Sequence, residues 1–133
     1  MEPINKLNYV DHAEKVIETL ARDRKGHIKL TTSKIRNILA MVSEIYNEVV
    51  HESGNKLSEK SQERIQYLRL RITYEAGREP DVKDFVNNSR LLEELKNIGE
   101  SKSKFLLFCK YIEALVAYHR FSGGRDKVVS NDL

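Results

Sequence analysis

A chain of 133 residues with 23 basic and 20 acidic side chains, net charge +3, is long enough for one real core and projects no strong field of either sign. Charged residues reach 32%, mean hydropathy is -0.55, and only 6 Gly and 2 Pro occur, which excludes long low-complexity segments. The start, "MEPINKLNYVDHAEK", has early acids and no apolar stretch, and no apolar run nears the ~20 residues of a membrane span, so a cytoplasmic protein without a membrane partner is expected.

In "YVDHAEKVIETLARDRK", residues 9–25, Val10, Ala13, Val16, Ile17 and Leu20 recur at helical spacing, and Gly26 ends this first predicted helix. Thr31, Thr32 and Ser33 are suitable N-caps for a second helix, whose apolar stripe runs through Ile35, Ile38, Leu39, Val42, Ile45, Tyr46 and Val49. "HESGNKLS" closes it, and Ser58 can cap a third.

The stretch "LRLRITY" alternates like a half-buried strand, yet no second strand exists to pair with it, and its flanks are strong helix formers. A helix is therefore expected from about Glu59 to Ala76, ending near Gly77 and Pro80. On it, Ile65, Leu68, Ile72 and Ala76 share one side while Tyr67, Leu70 and Tyr74 share another, which predicts packing on both faces. Asp81 can cap a fourth helix through Val82, Phe85, Val86, Leu91, Leu92 and Leu95 to Gly99. A fifth starts at Ser101 or Ser103, ends at Gly123–Gly124, and is also apolar on two sides: Phe105, Phe108, Cys109, Ile112, Val116, then Leu107, Tyr111, Ala114, Tyr118. The expectation is all-α: one compact bundle of about five helices over residues 1–133, with a loose polar tail after about residue 125.

Chemistry is sparse. Cys109 is the one cysteine, set among large apolar residues, and reads as an inert buried thiol. Glu48 and His51 form a single Glu-x-x-His pair, but a di-iron bundle needs two such pairs and two further glutamates. Carboxylate pairs such as Glu14/Glu18 and Glu75/Glu79 lie four apart and suit solvated, ion-pairing surfaces. There is no phosphate loop and no nucleophile elbow. No catalytic residue, metal or cofactor is expected, and the chain does not read as an enzyme.

Basic residues say more. Lys34 and Arg36 lie in the first turns of a helix, where they oppose the macrodipole but accompany free backbone N–H groups and the hydroxyls of Thr31, Thr32 and Ser33. Together these could hold a phosphate; equally, the two cations could be merely exposed and tolerated. Arg64, Arg71 and Arg78 are seven apart, a spacing that drifts only ~20° per step, so they form one stripe, which Glu75 shares and could neutralise. Arg69 falls on the opposite polar stripe with Gln66 and Thr73. Two-sided helices in so small a chain make Tyr67, Tyr74, Leu107, Tyr111 and Tyr118 candidates for contact with another subunit, unless the bundle covers them all.

"LTTSKIRNILAMVSEIY", "YLRLRITYEAGRE", "VKDF" and "FLLFCKYIEALVAYHRFSGG" follow one another in an order and spacing that resembles the small subunit of type III-A CRISPR effector (Csm) complexes, over about residues 8 to 126. "YEAGRE" and "CKYIEALVAY" are the distinctive parts. The resemblance implies a helical bundle without catalytic residues, copies of which stack beside the crRNA-bearing backbone and contact the guide–target RNA duplex. It further implies that target RNA cleavage belongs to the backbone subunit, and DNA cleavage and cyclic oligoadenylate synthesis to the large subunit. The implied partners are crRNA, target RNA, those two subunits and further copies of the chain. The family pattern matches Arg69 and Arg78 most directly, while Arg64 and Arg71 rest on spacing. A helical protein-interaction adaptor without RNA binding is the alternative.

Overall fold

A computed structural model of the chain describes residues 2–126. Its helices are α1 (Tyr9–Thr19), α2 (Thr32–Val49), α3 (Glu59–Arg78), α4 (Pro80–Ser89), α5 (Leu91–Ile98) and α6 (Lys102–Phe121). Among the described residues the only β-type pairing is two isolated bridges, Arg22 with Ile28 and Lys56 with Ser101. The strand-like alternation at Leu68–Tyr74 lies inside α3.

Three hydroxyl caps start helices as their chemistry requires. Thr31 Oγ1 accepts from the Lys34 amide at 3.4 Å, Ser58 Oγ from Ser61 at 3.1 Å, and Ser101 Oγ from Lys104 at 3.2 Å. α4 starts differently: Pro80 occupies its first turn, Glu79 precedes it without a side-chain cap, and Asp81 is not the cap.

Six helices stand where five were expected, because the predicted fourth is two. On one straight helix Leu91, Leu95 and Ile98 would fall about 180° from Val82, Phe85 and Val86, since each residue turns ~100°. Arg90 resolves the conflict by adopting a left-handed conformation, φ 57°, and all six apolar residues become buried. The first helix also stops early, at Thr19 rather than near Lys25. Leu20 turns extended, and the Asp23 carboxylate accepts from the amides of Lys25 at 2.8 Å and His27 at 3.0 Å. That turn reverses the chain so that Ile28 and Leu30 reach the core.

α6 lies at the centre, packed against α1, α2 and α5, while α3 packs on α2, α4 and α5. Phe85, Phe105 and Phe108 are fully enclosed, each burial contributing about 1.5–3 kcal/mol. Burial, reinforced by the nearby charge of Glu113, pushes the Cys109 thiol up to about 12, so it stays protonated. The two helices with two apolar sides meet different fates. α6 encloses Tyr111 on its second side and half-buries Leu107, Ala114 and Tyr118, whereas α3 buries Ile65, Leu68, Ile72 and Ala76 and leaves Tyr67, Leu70 and Tyr74 at 59%, 62% and 60% exposure. The expected loose tail lies, beyond Asp126, outside the described residues.

Candidate nucleic-acid interface

α2 and α3 run antiparallel, as their end-to-end ion pairs require. Glu48, late in α2, pairs with Arg64, early in α3, at 2.7 Å; Lys34, early in α2, pairs with Glu79, just past α3, at 3.0 Å. The groove between them is bordered by Met41, Glu44, Arg64 and Arg71, and nearer the start of α2 by Lys34, Asn37 and Arg78. Arg64, Arg71 and Arg78 therefore share one edge, facing α2.

Their charges are not equally available. Glu75 pairs with Arg78 at 3.3 Å and not with Arg71, and Arg78 also lies 5.8 Å from the Tyr74 ring centroid. Arg78 is the last residue of α3, so it belongs to the stripe. Arg71 is exposed and has no ion-pair partner among the described residues. Arg69 is half-buried away from this edge, where its guanidinium donates weakly to Gln66 Oε1 at 3.4 Å. Arg36 is exposed but, two residues after Lys34, points about 200° round the helix from it. The candidate cations thus occupy three places, of which only the α2–α3 edge gathers several.

The expectation of free amides at the start of α2 is corrected. Asp126 Oδ1 accepts from the Ser33 amide at 2.8 Å and from Ser33 Oγ at 2.6 Å, and Arg125 O accepts from the Thr32 amide at 3.3 Å. With Lys34 N on Thr31 Oγ1, the chain's own groups satisfy the first turn. The Ser33 hydroxyl and then its amide hold the Asp126 carboxyl below its ordinary value. Thr32 Oγ1 is buried and has no hydrogen-bond partner among the described residues.

Of the residues expected to meet another subunit, Tyr67 and Tyr74 are open and Leu107 and Tyr118 are half-buried. Tyr111 is not available: it is 0% exposed, and its hydroxyl donates to the Ser89 carbonyl at 2.9 Å. The α4–α5 break leaves that carbonyl without a helical partner, and an interior phenol supplies one. Burial, with the nearby Glu94 charge, pushes the Tyr111 phenol well above the ordinary tyrosine range.

A basic cleft escaped the sequence reading. Between the α1–α2 loop and the segment after α6 lies a cleft of about 790 Å³ whose walls include Arg24, Lys25, Lys29, Lys34 and Arg125. The density of cations in "RDRKGHIK" was the available signal, hidden by extending the first helix through it. Glu48, half of the Glu-x-x-His pair, is engaged by Arg64. Among the described residues, no group of three or more His, Cys, Asp or Glu side chains could hold a metal ion, and no helix is long and apolar enough to cross a membrane.

A model of the family described as Csm2 type III-A matches residues 5–125, from ahead of α1 to the segment that closes the cleft. The chain belongs to that family. It is similar to the CRISPR system Cms protein Csm2 of Streptococcus thermophilus, 42% identical over 119 residues, or 90% of this chain and 94% of the relative. The Mycobacterium tuberculosis protein of the same description is 40% identical over 120 residues, 90% and 95% of the two chains. That of Enterococcus italicus is 36% identical over 123 residues, 84% and 87%. The family model extends across all six helices, so Csm2 membership concerns the bundle, the α2–α3 edge and the cleft as far as Arg125.

Proposed function

We propose that this Csm2 chain is the non-catalytic small subunit of a type III-A CRISPR effector and touches the backbone of the crRNA–target RNA duplex along the α2–α3 edge. The observation that carries this reading is the line of Arg64, Arg71 and Arg78 beside α2, with Arg71 unpaired among the described residues. Base pairing in the guide reads sequence, so such a subunit needs only charge and shape on its surface. The glutamates beside Arg64 and Arg78 do not oppose this use. Half-exposed pairs of this kind contribute about 0–1 kcal/mol, so a phosphate exchanges for them at little cost. Lys34 at the same edge is held by Glu79 on similar terms.

The open Tyr67, Leu70 and Tyr74 face suits a protein neighbour: a further copy of the chain, or the backbone or large subunit of the complex. The adaptor reading without RNA keeps one point in its favour, which is that Lys34, Arg64 and Arg78 are already neutralised within the chain. A gel shift with a guide–target duplex at low salt, beside a control protein of equal net charge, separates the two. Retardation by this chain alone supports RNA contact, and equal behaviour of both proteins supports the adaptor.

A further inference from the structure

The cleft between the α1–α2 loop and the segment after α6 draws its cations from three stretches of chain: Arg24, Lys25 and Lys29 from the loop, Lys34 from α2, and Arg125 from the last described turn. Among the described residues, no carboxylate lies within ion-pair distance of Arg24, Lys25 or Lys29. Asp23 is on the wall, but one carboxylate oxygen is committed to the amides of Lys25 and His27. Asp126, also on the wall, is bound to Ser33 through both its amide and its hydroxyl. Asp81 is the third wall carboxylate, and Lys34 is paired with Glu79 at 3.0 Å, so the unpaired charge of the cleft rests on the loop cations.

We infer that this cleft is a phosphate-binding site and that Asp126 is its latch, an internal carboxylate standing where a phosphate oxygen would be held. The donors it occupies, an amide and a hydroxyl at a helix start, are those a phosphate uses, and the loop cations supply the remaining charge. A phosphodiester carries the same single negative charge as the carboxylate, so the exchange leaves the local charge balance unchanged. Among the described residues, hydrogen bonds to His119, Thr32 and His27 tie Gly124 and Arg125 of the latch segment to the rest of the fold. Gly124 N donates to His119 O at 2.7 Å, Thr32 N to Arg125 O at 3.3 Å, and the Arg125 guanidinium to His27 Nδ1 at 2.8 Å. Gly124 passes so close to the His119 ring that a Cβ there would overlap it, which makes the latch's path dependent on this glycine. RNA as the source of the phosphate rests on the function proposed above; binding of inorganic phosphate does not.

The test titrates the full chain with inorganic phosphate against chloride at matched ionic strength, and separately with a labelled guide–target RNA duplex. Asp126→Ala and Gly124→Ala should each bind both ligands about tenfold more tightly, as ~1.4 kcal/mol of latch requires. Gly124→Ala leaves the charge unchanged, so its gain reports the latch and not net charge. Lys25→Glu with Lys29→Glu should remove phosphate binding in wild type and in both unlatched backgrounds, with the helical circular dichroism retained. Unchanged affinity in both unlatched variants, or full phosphate binding by the lysine double variant, overturns the site. A gain for phosphate without one for the duplex overturns RNA as its source. Duplex binding that Arg71→Glu abolishes and every cleft variant leaves alone overturns the cleft while sparing the α2–α3 edge. Absence of duplex binding in the wild type defeats the edge instead, and the phosphate titration still decides the cleft.

Discussion

Tyr111 on α6 donates its hydroxyl to the carbonyl of Ser89, 2.9 Å away, inside the bundle at the point where α4 gives way to α5. Ser89 Oγ donates in turn to Phe85 O at 2.7 Å, one turn back within α4, so both polar groups of Ser89 are satisfied at the break. Tyr111→Phe keeps the ring and strands the carbonyl, which should cost about 1–3 kcal/mol and leave helical content intact. Urea denaturation measures this. A midpoint equal to wild type would mean that the break does not depend on the phenol.

Arg90 holds φ 57° with a Cβ that opposes that conformation. Its ion pair with Glu93 is long, 3.9 Å, and exposed, so little is lost by removing it. Arg90→Gly should stabilise the chain by about 0.5–1 kcal/mol, the left-handed strain relieved minus the added freedom of the unfolded glycine. The same denaturation series reads it, and a destabilised variant would show that the Arg90 side chain packs more than its exposure suggests.

Acid should weaken the α2–α3 connection first. The Ser61 hydroxyl, then the Ser58 amide, hold Glu52 below its ordinary value of 4.5. A depressed carboxyl contributes stability that is fully present above 4.5 and lost as pH falls through the lower folded value. Asp23, held down chiefly by the His27 amide, has the same sign with an ordinary value of 3.8. Thermal midpoints should therefore be level from neutrality to about pH 5 and fall below 4.5, less steeply in Glu52→Gln. A Glu52→Gln profile parallel to wild type in the acid limb would contradict the assignment.

Tyr67 and Tyr74 point away from the core, so Tyr67→Ser with Tyr74→Ser should stay within about 0.5 kcal/mol of wild-type stability per site. The same variant should lose self-association or co-purification with the other subunits of the effector. Assembly at wild-type levels would leave the exposed aromatic face without a partner.

Much of this fold is written in local chemistry. Ser58 caps α3, Thr31 caps α2, and the apolar stripe of α2 is buried at Ile35, Ile38, Val42, Ile45 and Val49. The division of α4 from α5 was legible too, in the half-turn phase slip between Phe85 and Leu91 and in Asn87, Asn88 and Ser89 at the junction, which favour turns over helix interiors, but the apolar residues on either side suggest one helix unless the angles are followed through. The early end of α1 depends on Asp23 capturing two amides, a choice between turn and helix that propensity alone does not make. Which apolar side stays open was beyond local pattern. Tyr111 and Tyr74 sit on similar second faces, and only the docking of α1, α2 and α5 around α6 covers the first and leaves the second bare. The candidate site was legible as a stripe of arginines, with Glu75 on it, and not as a surface, because Glu48 and Glu79 reach Arg64 and Lys34 across the α2–α3 groove, which spacing along one helix does not reveal. Asp126 reaching Ser33 across the fold left no trace in the sequence near α2.

Fluorescence anisotropy of a labelled guide–target RNA duplex, titrated with wild type and with Arg71→Glu across a salt series, bears most directly on the central claim. Arg71 is the stripe's exposed cation without an ion-pair partner among the described residues, so its reversal removes RNA contact without breaking a pair in the fold. The expected result is a loss of affinity of tenfold or more, with helical content retained. If about three phosphates of the duplex are contacted, log K should fall with log salt at a slope of about −3 in wild type, and less steeply in the variant. Equal affinity for both proteins with a flat salt dependence would contradict RNA contact along the α2–α3 edge.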